Sequence, residues 1–305
     1  MGRSRLTELK APLKPESLRI GFIGAGRLGK ALAWSLAGAG MQVTRAASNK
    51  LLDAQALASR IALCQAVTAQ QLVDDCDLVF VTTPDKAIAS TVAALGWRAG
   101  QAVVHCSGVT EVDALATARH QGAQVGGFHP MQTFGDPLTA MNSLPGSTIT
   151  VEASEPLNSW LVAVGDRLNC RVNRLPPGMR ARYHAAAGFT SQFINALFAE
   201  AATEWGSWGA SEEDALRALM PMARGTLSSI ESVGIAKGMP GPVSRGDVAT
   251  VEKHLAALAM LGPEILGFYR TLCASTVPLA LKSGAIDAAT AQHLASVLQT
   301  KGAAG

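Results

Sequence analysis

From Leu18 onward, short apolar runs alternate with longer stretches in which apolar residues recur every three to four positions. That alternation predicts strands separated by helices, and so a mainly parallel α/β sheet. Leu18 to Ile23 predicts a first strand, and Gly29 to Ala39 a helix closed by Gly40. A second strand is expected at 42–46, a second helix at 51–60 and a short third strand near Ala66-Val67. Asp77 to Thr82 is the fourth, a near-continuous apolar run expected of a strand covered on both faces. The fifth is expected at 101–105 and the sixth at 124–128. Ser147 to Val151 and Cys170 to Arg174 predict two more strands around a helix from Glu155 to Leu168.

The pattern changes at Pro176-Pro177-Gly178. Beyond it no alternating run remains, only Ala- and Leu-rich helical segments at 179–205, 211–232, 247–260, 262–282 and 287–300. Ser211, Asp247 and Asp287 are expected N-caps. The predicted organisation is a tail at 1–17, a doubly wound domain at 18–175 and an all-helical domain at 176–305.

Composition narrows the class. Hydrophobic residues make up 48% of the 305 and charged residues only 16%, against a usual charged share of about 25%. A disordered chain shows the opposite balance. The net charge is +3, and Arg3, Arg5, Lys10 and Lys14 against Glu8 and Glu16 place two of those charges in the tail. Nucleic-acid binding by bulk charge is therefore not expected. The uncharged stretch from Ala31 to Thr44 is too short to span a bilayer, and Tyr183 to Ala199 carries His184, Ser191, Gln192 and Asn195. The tail lacks the apolar core of a signal peptide, so a soluble, cytoplasmic protein is expected. Cys64, Cys76, Cys106, Cys170 and Cys273 are scattered without C-x-x-C spacing; buried thiols are expected and a metal site is not.

The strongest local motif is Gly24-Ala25-Gly26-Arg27-Leu28-Gly29, a G-x-G-x-x-G placed between a predicted strand and a predicted helix. In that context the glycines permit a tight turn, and the helix N-terminus offers free N–H groups to a pyrophosphate, as in a Rossmann dinucleotide site. NAD sites usually carry an acid about 20 residues further on. Here the zone reads Ser48-Asn49-Lys50, and the first acid is Asp53. Hydroxyl, amide and ammonium donors suit a 2′-phosphate, so NADP is the expected cofactor.

Open α/β sheets bind ligands at the carboxyl ends of their strands. Thr82-Thr83-Pro84 follows the fourth strand, where the threonines can contact the cofactor, and Ser107 follows the fifth. His129 is expected just past the sixth, at the crevice rim, with a pKa suited to proton transfer. On the first long helix, His184, Gly188, Ser191 and Asn195 fall on one face of an otherwise apolar, buried-looking segment. That stripe either faces the crevice and binds substrate or packs against another helix. Arg245, in a Gly-Pro loop before Asp247, is a candidate clamp for a substrate carboxylate. Met220, Met222, Trp205 and Trp208 read as core packing.

The fingerprint, Thr82-Thr83-Pro84-Asp85, Phe128-His129-Pro130-Met131, Tyr183-His184-Ala185-Ala186-Ala187 and Gly241-Pro242 through Arg245-Gly246-Asp247 occur in that order. Together they resemble the bacterial Rossmann-like proteins with a C-terminal helical domain of unknown function, within the 6-phosphogluconate-dehydrogenase-like superfamily. The resemblance implies an NAD(P)-binding domain, a helical dimerising domain and an active site between them. Its neighbours include pyrroline-5-carboxylate reductase, ketopantoate reductase and prephenate dehydrogenase. His129-Pro130-Met131 is similar to the prephenate dehydrogenases, and Ala47-Ser48-Asn49 to the pyrroline-carboxylate reductases. The hydroxyacid-dehydrogenase branch carries a catalytic lysine on its first long helix; here His184 stands in that region, so that mechanism does not carry over.

The leading expectation is an NADP-dependent oxidoreductase, a homodimer through its helical domain, acting on a small carboxylate-bearing carbonyl or imine compound. His129 or His184 gives the proton near Ser107, and Ser191, Asn195 and Arg245 orient the substrate. Two other readings stand beside it. One is a non-catalytic NADP sensor; the other is an oxidative decarboxylase like prephenate dehydrogenase.

Overall fold

The computed structural model describes residues 17–299. The basic tail expected at 1–17 lies outside them except for Ser17, as does residue 300, the end of the last expected helix. Two compact units divide between Gln192 and Phe193.

The first unit is built on one eight-stranded sheet. In chain order its elements are β1 (Ile20–Ile23), α1 (Arg27–Gly38), β2 (Val43–Ala47), α2 (Leu51–Ala58), β3 (Gln65–Ala66), α3 (Ala69–Asp75), β4 (Leu78–Val81), α4 (Ile88–Ala93), β5 (Ala102–His105), α5 (Ala116–His120) and β6 (Gln124–Met131). There follow α6 (Pro137–Ser143), β7 (Thr148–Ala153), α7 (Leu157–Arg167), β8 (Arg171–Arg174) and α8 (Arg180–Phe189). The strand order is β3-β2-β1-β4-β5-β6-β7-β8. Every pairing is parallel except β6 with β7. The order reverses between β1 and β4, which opens the ligand crevice typical of a Rossmann fold there.

Hydrophobic burial on both faces holds the sheet. In β4, Leu78 and Phe80 enter one core and Val79 and Val81 the other, all fully buried. This is the two-sided burial that an unbroken apolar strand predicts. Phe22 stacks on Phe80 at 5.1 Å and Phe128 meets Phe80 edge-on at 5.4 Å, contacts worth about 0.5–1.5 kcal/mol each beyond area burial.

β6 corrects the expectation that it ends at Phe128. It runs on to Met131, paired with β7 through Pro130↔Ile149 and Met131↔Thr148. Its pairing with β5 stops at Gly127, so Pro130 lies where β6 has a partner on one side only, and its missing N–H breaks no ladder on the other. His129 is therefore inside a strand, not beyond one.

The second unit holds α9 (Gln192–Gly206) but for its first residue, with α10 (Glu212–Val233), α11 (Val248–Ala259), α12 (Pro263–Ser283) and α13 (Ala288–Gln299). Ser211, Asp247 and Asp287 each cap the following helix by accepting a backbone N–H, from Asp214, Thr250 and Thr290 respectively. Its core, Val251, Leu255, Cys273, Val277, Leu294 and neighbours, lies among α11, α12 and α13. The expected core role fails for Trp208, Met220 and Met222, which are 63%, 36% and 65% exposed, while Trp205 is half-buried against Trp208; α9 and α10 contribute only Ala215 to the interior.

The polar stripe also needs correction. The segment is two helices, α8 and α9, broken at Thr190-Ser191. There both hydroxyls bond the Ala187 carbonyl, at 3.2 and 2.8 Å, and compete with the helical ladder. His184 and Gly188 stay on α8, Ser191 sits in the break and Asn195 is on α9. The segment is not buried all round: of α8 only Arg180 is buried, and none of α9. Among the described residues no helix is long and apolar enough to cross a membrane.

Candidate active site

A cavity of about 830 Å³ lies in the first unit at the carboxyl ends of the strands. It is lined by Gly24, Ala25, Gly26, Arg27 and Leu28 from the turn after β1, and by Ser48, Asn49 and Lys50 after β2. Thr82, Thr83, Pro84 and Asp85 after β4, Cys106 and Ser107 after β5, and Asp53 on α2 are also among its lining residues.

The turn after β1 is shaped by its neighbours. Gly24 has φ +106°, and a Cβ there would meet the Thr82 carbonyl carbon and Thr83 nitrogen at 2.7 Å. A Cβ on Gly29 would strike the Gly24 carbonyl and the Thr82 hydroxyl. Thr82 itself ties the turn down, donating to the Gly24 carbonyl at 2.6 Å. Gly26 differs: it has an ordinary φ of −73°, and a Cβ there would meet nothing within 4 Å. It is the N-cap of α1, and no side chain caps that end. Packing therefore demands the first and third glycines, while open space stands over the second.

A dinucleotide fits these residues. The uncapped α1 N–H groups suit a pyrophosphate. Thr83 Oγ1, buried without a hydrogen-bond partner among the described residues, supplies an unused polar atom on the crevice wall. Asp53 is drawn to Lys30 at 3.3 Å, and Ser48 Oγ accepts from the Lys50 amide at 3.3 Å.

Ser107 stands at the far end. Its hydroxyl is engaged by its own loop, donating to Thr110 Oγ1 at 2.9 Å and accepting the Thr110 amide at 3.0 Å. Gly108 follows, and both candidate histidines abut it: a Cβ there would run into His184 Nδ1 and would lie 2.9 Å from His129 Nε2. The two rings stand 6.0 Å apart, nearly perpendicular. The structure thus brings Ser107, His129 and His184 together. Ser191 lies beyond α8, while Asn195 and Arg245 belong to the second unit, where Arg245 is exposed at the end of the 3-10 turn Val243–Arg245.

The expectation of an ordinary pKa for His129 is overturned. Burial first, then the neighbouring His184 and the Arg180 charge, lower it to about 4, so the ring is neutral at physiological pH. His105, fully buried and without a partner in good hydrogen-bond geometry among the described residues, is lowered to about 3 by burial, then by Arg180 and His129, against a smaller raising effect of the Glu111 backbone. The thiols of Cys64 and Cys76 are pushed up to about 11 by burial, which keeps them protonated and inert.

Three residues of this region escape the sequence. Arg180 is completely buried; its Nε donates to Glu152 at 2.6 Å and its Nη1 to the Ser107 carbonyl at 2.8 Å. Glu152, Gly127 and His105 share one cross-strand row. The missing side chain of Gly127 makes the slot that holds the guanidinium, which any Cβ there would strike. Burial raises the Glu152 carboxyl despite its partner; the direct contact with a permanently charged guanidinium still favours an ion pair at neutral pH. Tyr183, the third, lies 2.7 Å from His129 Nδ1 through its hydroxyl.

Residues 19–108 match the family described as NADP oxidoreductase, coenzyme F420-dependent. Residues 147–276 match a domain of unknown function, DUF2520. The two matches follow one another along the chain, the NADP-oxidoreductase match first and the DUF2520 match second. NADP is the cofactor of the first domain's family. A provisionally described NADP oxidoreductase from Bacteroides fragilis is similar, with 25% identity over 86% of this chain and 99% of that one and a TM-score of 0.68. A protein from Thermotoga maritima shares the fold at 20% identity, covering 87% and 99% of the two chains with a TM-score of 0.73. So does a Plasmodium falciparum pyrroline carboxylate reductase solved with NADP, at 11% identity over 94% and 100%, with a TM-score of 0.57. No curated protein matches the chain. The crevice residues all lie within the NADP-oxidoreductase match, whereas Arg180 and the histidine-bearing α8 lie within the DUF2520 match.

Proposed function

We propose that the protein is an NADPH-dependent reductase of a small carbonyl or imine compound. The observation that carries this reading is the open space over Gly26 between two glycines that packing requires. NADPH, when bound, supplies the hydride. Arg27, Leu28 and Gly29 would hold the pyrophosphate through their N–H groups, Thr82, Thr83 and Pro84 would flank the nicotinamide half, and Ser48, Asn49 and Lys50 would take the 2′-phosphate. His129 and His184, abutting Gly108 beside Ser107, are the proton-donating candidates; Ser191 in the first unit, and Asn195 and Arg245 in the second, are each candidates for binding a substrate carboxylate. A sensor needs no pair of histidines beside the cofactor crevice, which favours the enzyme. The fold is shared with a pyrroline carboxylate reductase, and cyclic imines are accordingly the first compounds to offer, followed by keto acids. Loss of NADPH absorbance with any of these supports the reading; cofactor binding with no turnover of any would support the sensor.

The cofactor preference has its own test. NADPH should bind more tightly than NADH, and Lys50→Glu should weaken NADPH by at least tenfold with little change for NADH, because a charge-assisted contact is worth about 1.5–3 kcal/mol. Fluorescence titration of both nucleotides reads this, and equal affinities would contradict it.

We also propose that the chain pairs through its helical half. Phe193 and Leu197 on α9 and Met220, Met222, Leu227 and Val233 on α10 are exposed, and a subunit contact would take these apolar side chains out of water. A two-fold dimer covers them most simply. Light scattering at micromolar concentration should give twice the chain mass; the monomer mass would refute this.

A further inference from the structure

His129 begins a polar row that crosses three strands. It stands opposite Thr150 of β7, which in turn stands opposite Asn173 of β8. Tyr183, on α8, closes over the row with its hydroxyl 2.7 Å from His129 Nδ1 and its ring perpendicular to the imidazole. The Thr150 hydroxyl accepts from Asn173 Nδ2 at 3.3 Å and lies near enough to Tyr183 to favour its ionised form, although burial, the larger effect, raises the Tyr183 hydroxyl above its ordinary pKa. Thr150 is fully buried, so no water competes for its single proton.

Donor and acceptor chemistry gives this chain a direction. An amide nitrogen only donates. Thr150, having accepted from Asn173, still has its own proton to give, and Tyr183 is the neighbouring hydroxyl that its influence reaches. Tyr183, having accepted from Thr150, directs its own to His129 Nδ1. A neutral imidazole that accepts at Nδ1 carries its proton on Nε2. That nitrogen is the one lying against Gly108, the residue after crevice-lining Ser107.

We propose that Tyr183, directed by Thr150 and Asn173, is a positioning residue that locks His129 in the Nε2-protonated tautomer and aims that proton at the Gly108 end of the crevice. Its use in catalysis rests on the reductase reading, whereas the tautomer is a property of the chain alone. Burial keeps His129 uncharged at neutral pH, so a relay is needed for it to give up a proton. As the substrate carbon is reduced, the proton leaves Nε2 for the substrate oxygen or nitrogen. In the same displacement Nδ1 takes the proton of Tyr183. Burial disfavours the phenolate and raises the Tyr183 pKa overall, and the Thr150 hydroxyl and the Arg180 charge offset part of that cost, so the phenolate is only transient. A proton from water then enters at Nε2 as Nδ1 returns its own to Tyr183, and the start is restored.

The test is nitrogen NMR of the full chain, without ligand, labelled in its histidine rings, at neutral pH. His129 is assigned by the signal lost in His129→Asn. The wild type should show a pyridine-type Nδ1 and a pyrrole-type Nε2. Asn173→Asp replaces the donor with an acceptor on the exposed edge strand β8, reverses the chain and should exchange the two signal types. Tyr183→Phe should leave the tautomers mixed and lower turnover of a reducible substrate by about 10²-fold. Protonation at Nδ1 in the wild type, or an unchanged tautomer in Asn173→Asp, overturns the proposal. The expected tautomer in a protein that reduces nothing would overturn the reductase reading and leave the positioning role standing.

Discussion

Replacing His129 with alanine is expected to lower reductive turnover by about 10²–10⁴-fold with NADPH binding intact, the usual span of general acid catalysis. The side chain stands at Gly108, beyond the residues that would touch the nucleotide, which is why affinity should survive. The pH profile separates two kinds of donor. An imidazolium of ordinary pKa loses its proton as pH rises through about 6.5, and the rate falls with it. His129 is lowered to about 4, so it is already neutral throughout that range. Its contribution should therefore persist from about pH 5.5 to 8, without the fall expected of an imidazolium. A rate falling tenfold per unit above 6.5, or full turnover in His129→Ala, would show that His129 is not the donor in the form described.

Arg180→Met is expected to destabilise the fold by about 3–5 kcal/mol, the cost of breaking a buried pair from one side. The guanidinium is wholly enclosed, and Glu152, only 10% exposed in its side chain, would be left charged and unpartnered. Ser107 would lose the donor to its carbonyl as well. Arg180→Met combined with Glu152→Gln removes the stranded charge and should recover most of the loss, since a buried pair replaced as a whole is often close to neutral. Urea unfolding of the three proteins measures this. A loss below about 1 kcal/mol in the single variant would mean that the pair is not buried as described.

The contrast between these two sites shows what a sequence makes legible. Strands β1, β4 and β5 announce themselves because each alternates into two apolar cores, and the fingerprint because Gly24 and Gly29 are fixed by local packing. Asp247 and Ser211 are legible caps since their partners lie three residues away. Helices α3 and α6 carry readable starts, Thr68 with Gln71 as a capping box and Asp136 before Pro137. At seven residues each they are too short for apolar periodicity to register. The end of β6 misleads because Pro130 looks like a turn; only the one-sided pairing beyond Gly127 makes room for it. The break at Thr190-Ser191 is hidden because hydroxyls that bond Ala187 leave the apolar spacing almost undisturbed. Arg180 is invisible for a different reason. An arginine is expected in water, and its burial depends on a slot at Gly127 and a carboxylate at Glu152, which only strand register brings together. The lowered pKa of His129 has the same origin, since it reflects burial and neighbours rather than residue type.

The most direct test of the central claim is NADPH binding to the wild type and to Gly26→Val, followed by fluorescence with thermal unfolding in parallel. A Cβ at 26 meets nothing within 4 Å and the backbone there has an ordinary φ of −73°, so the melting transition should shift only slightly, by no more than a weakened N-cap costs, about 1 kcal/mol. If that space is the pyrophosphate cradle, the wild type binds NADPH and Gly26→Val binds it at least tenfold more weakly while remaining folded. Equal affinity in the two proteins, or no binding by the wild type, would contradict the account.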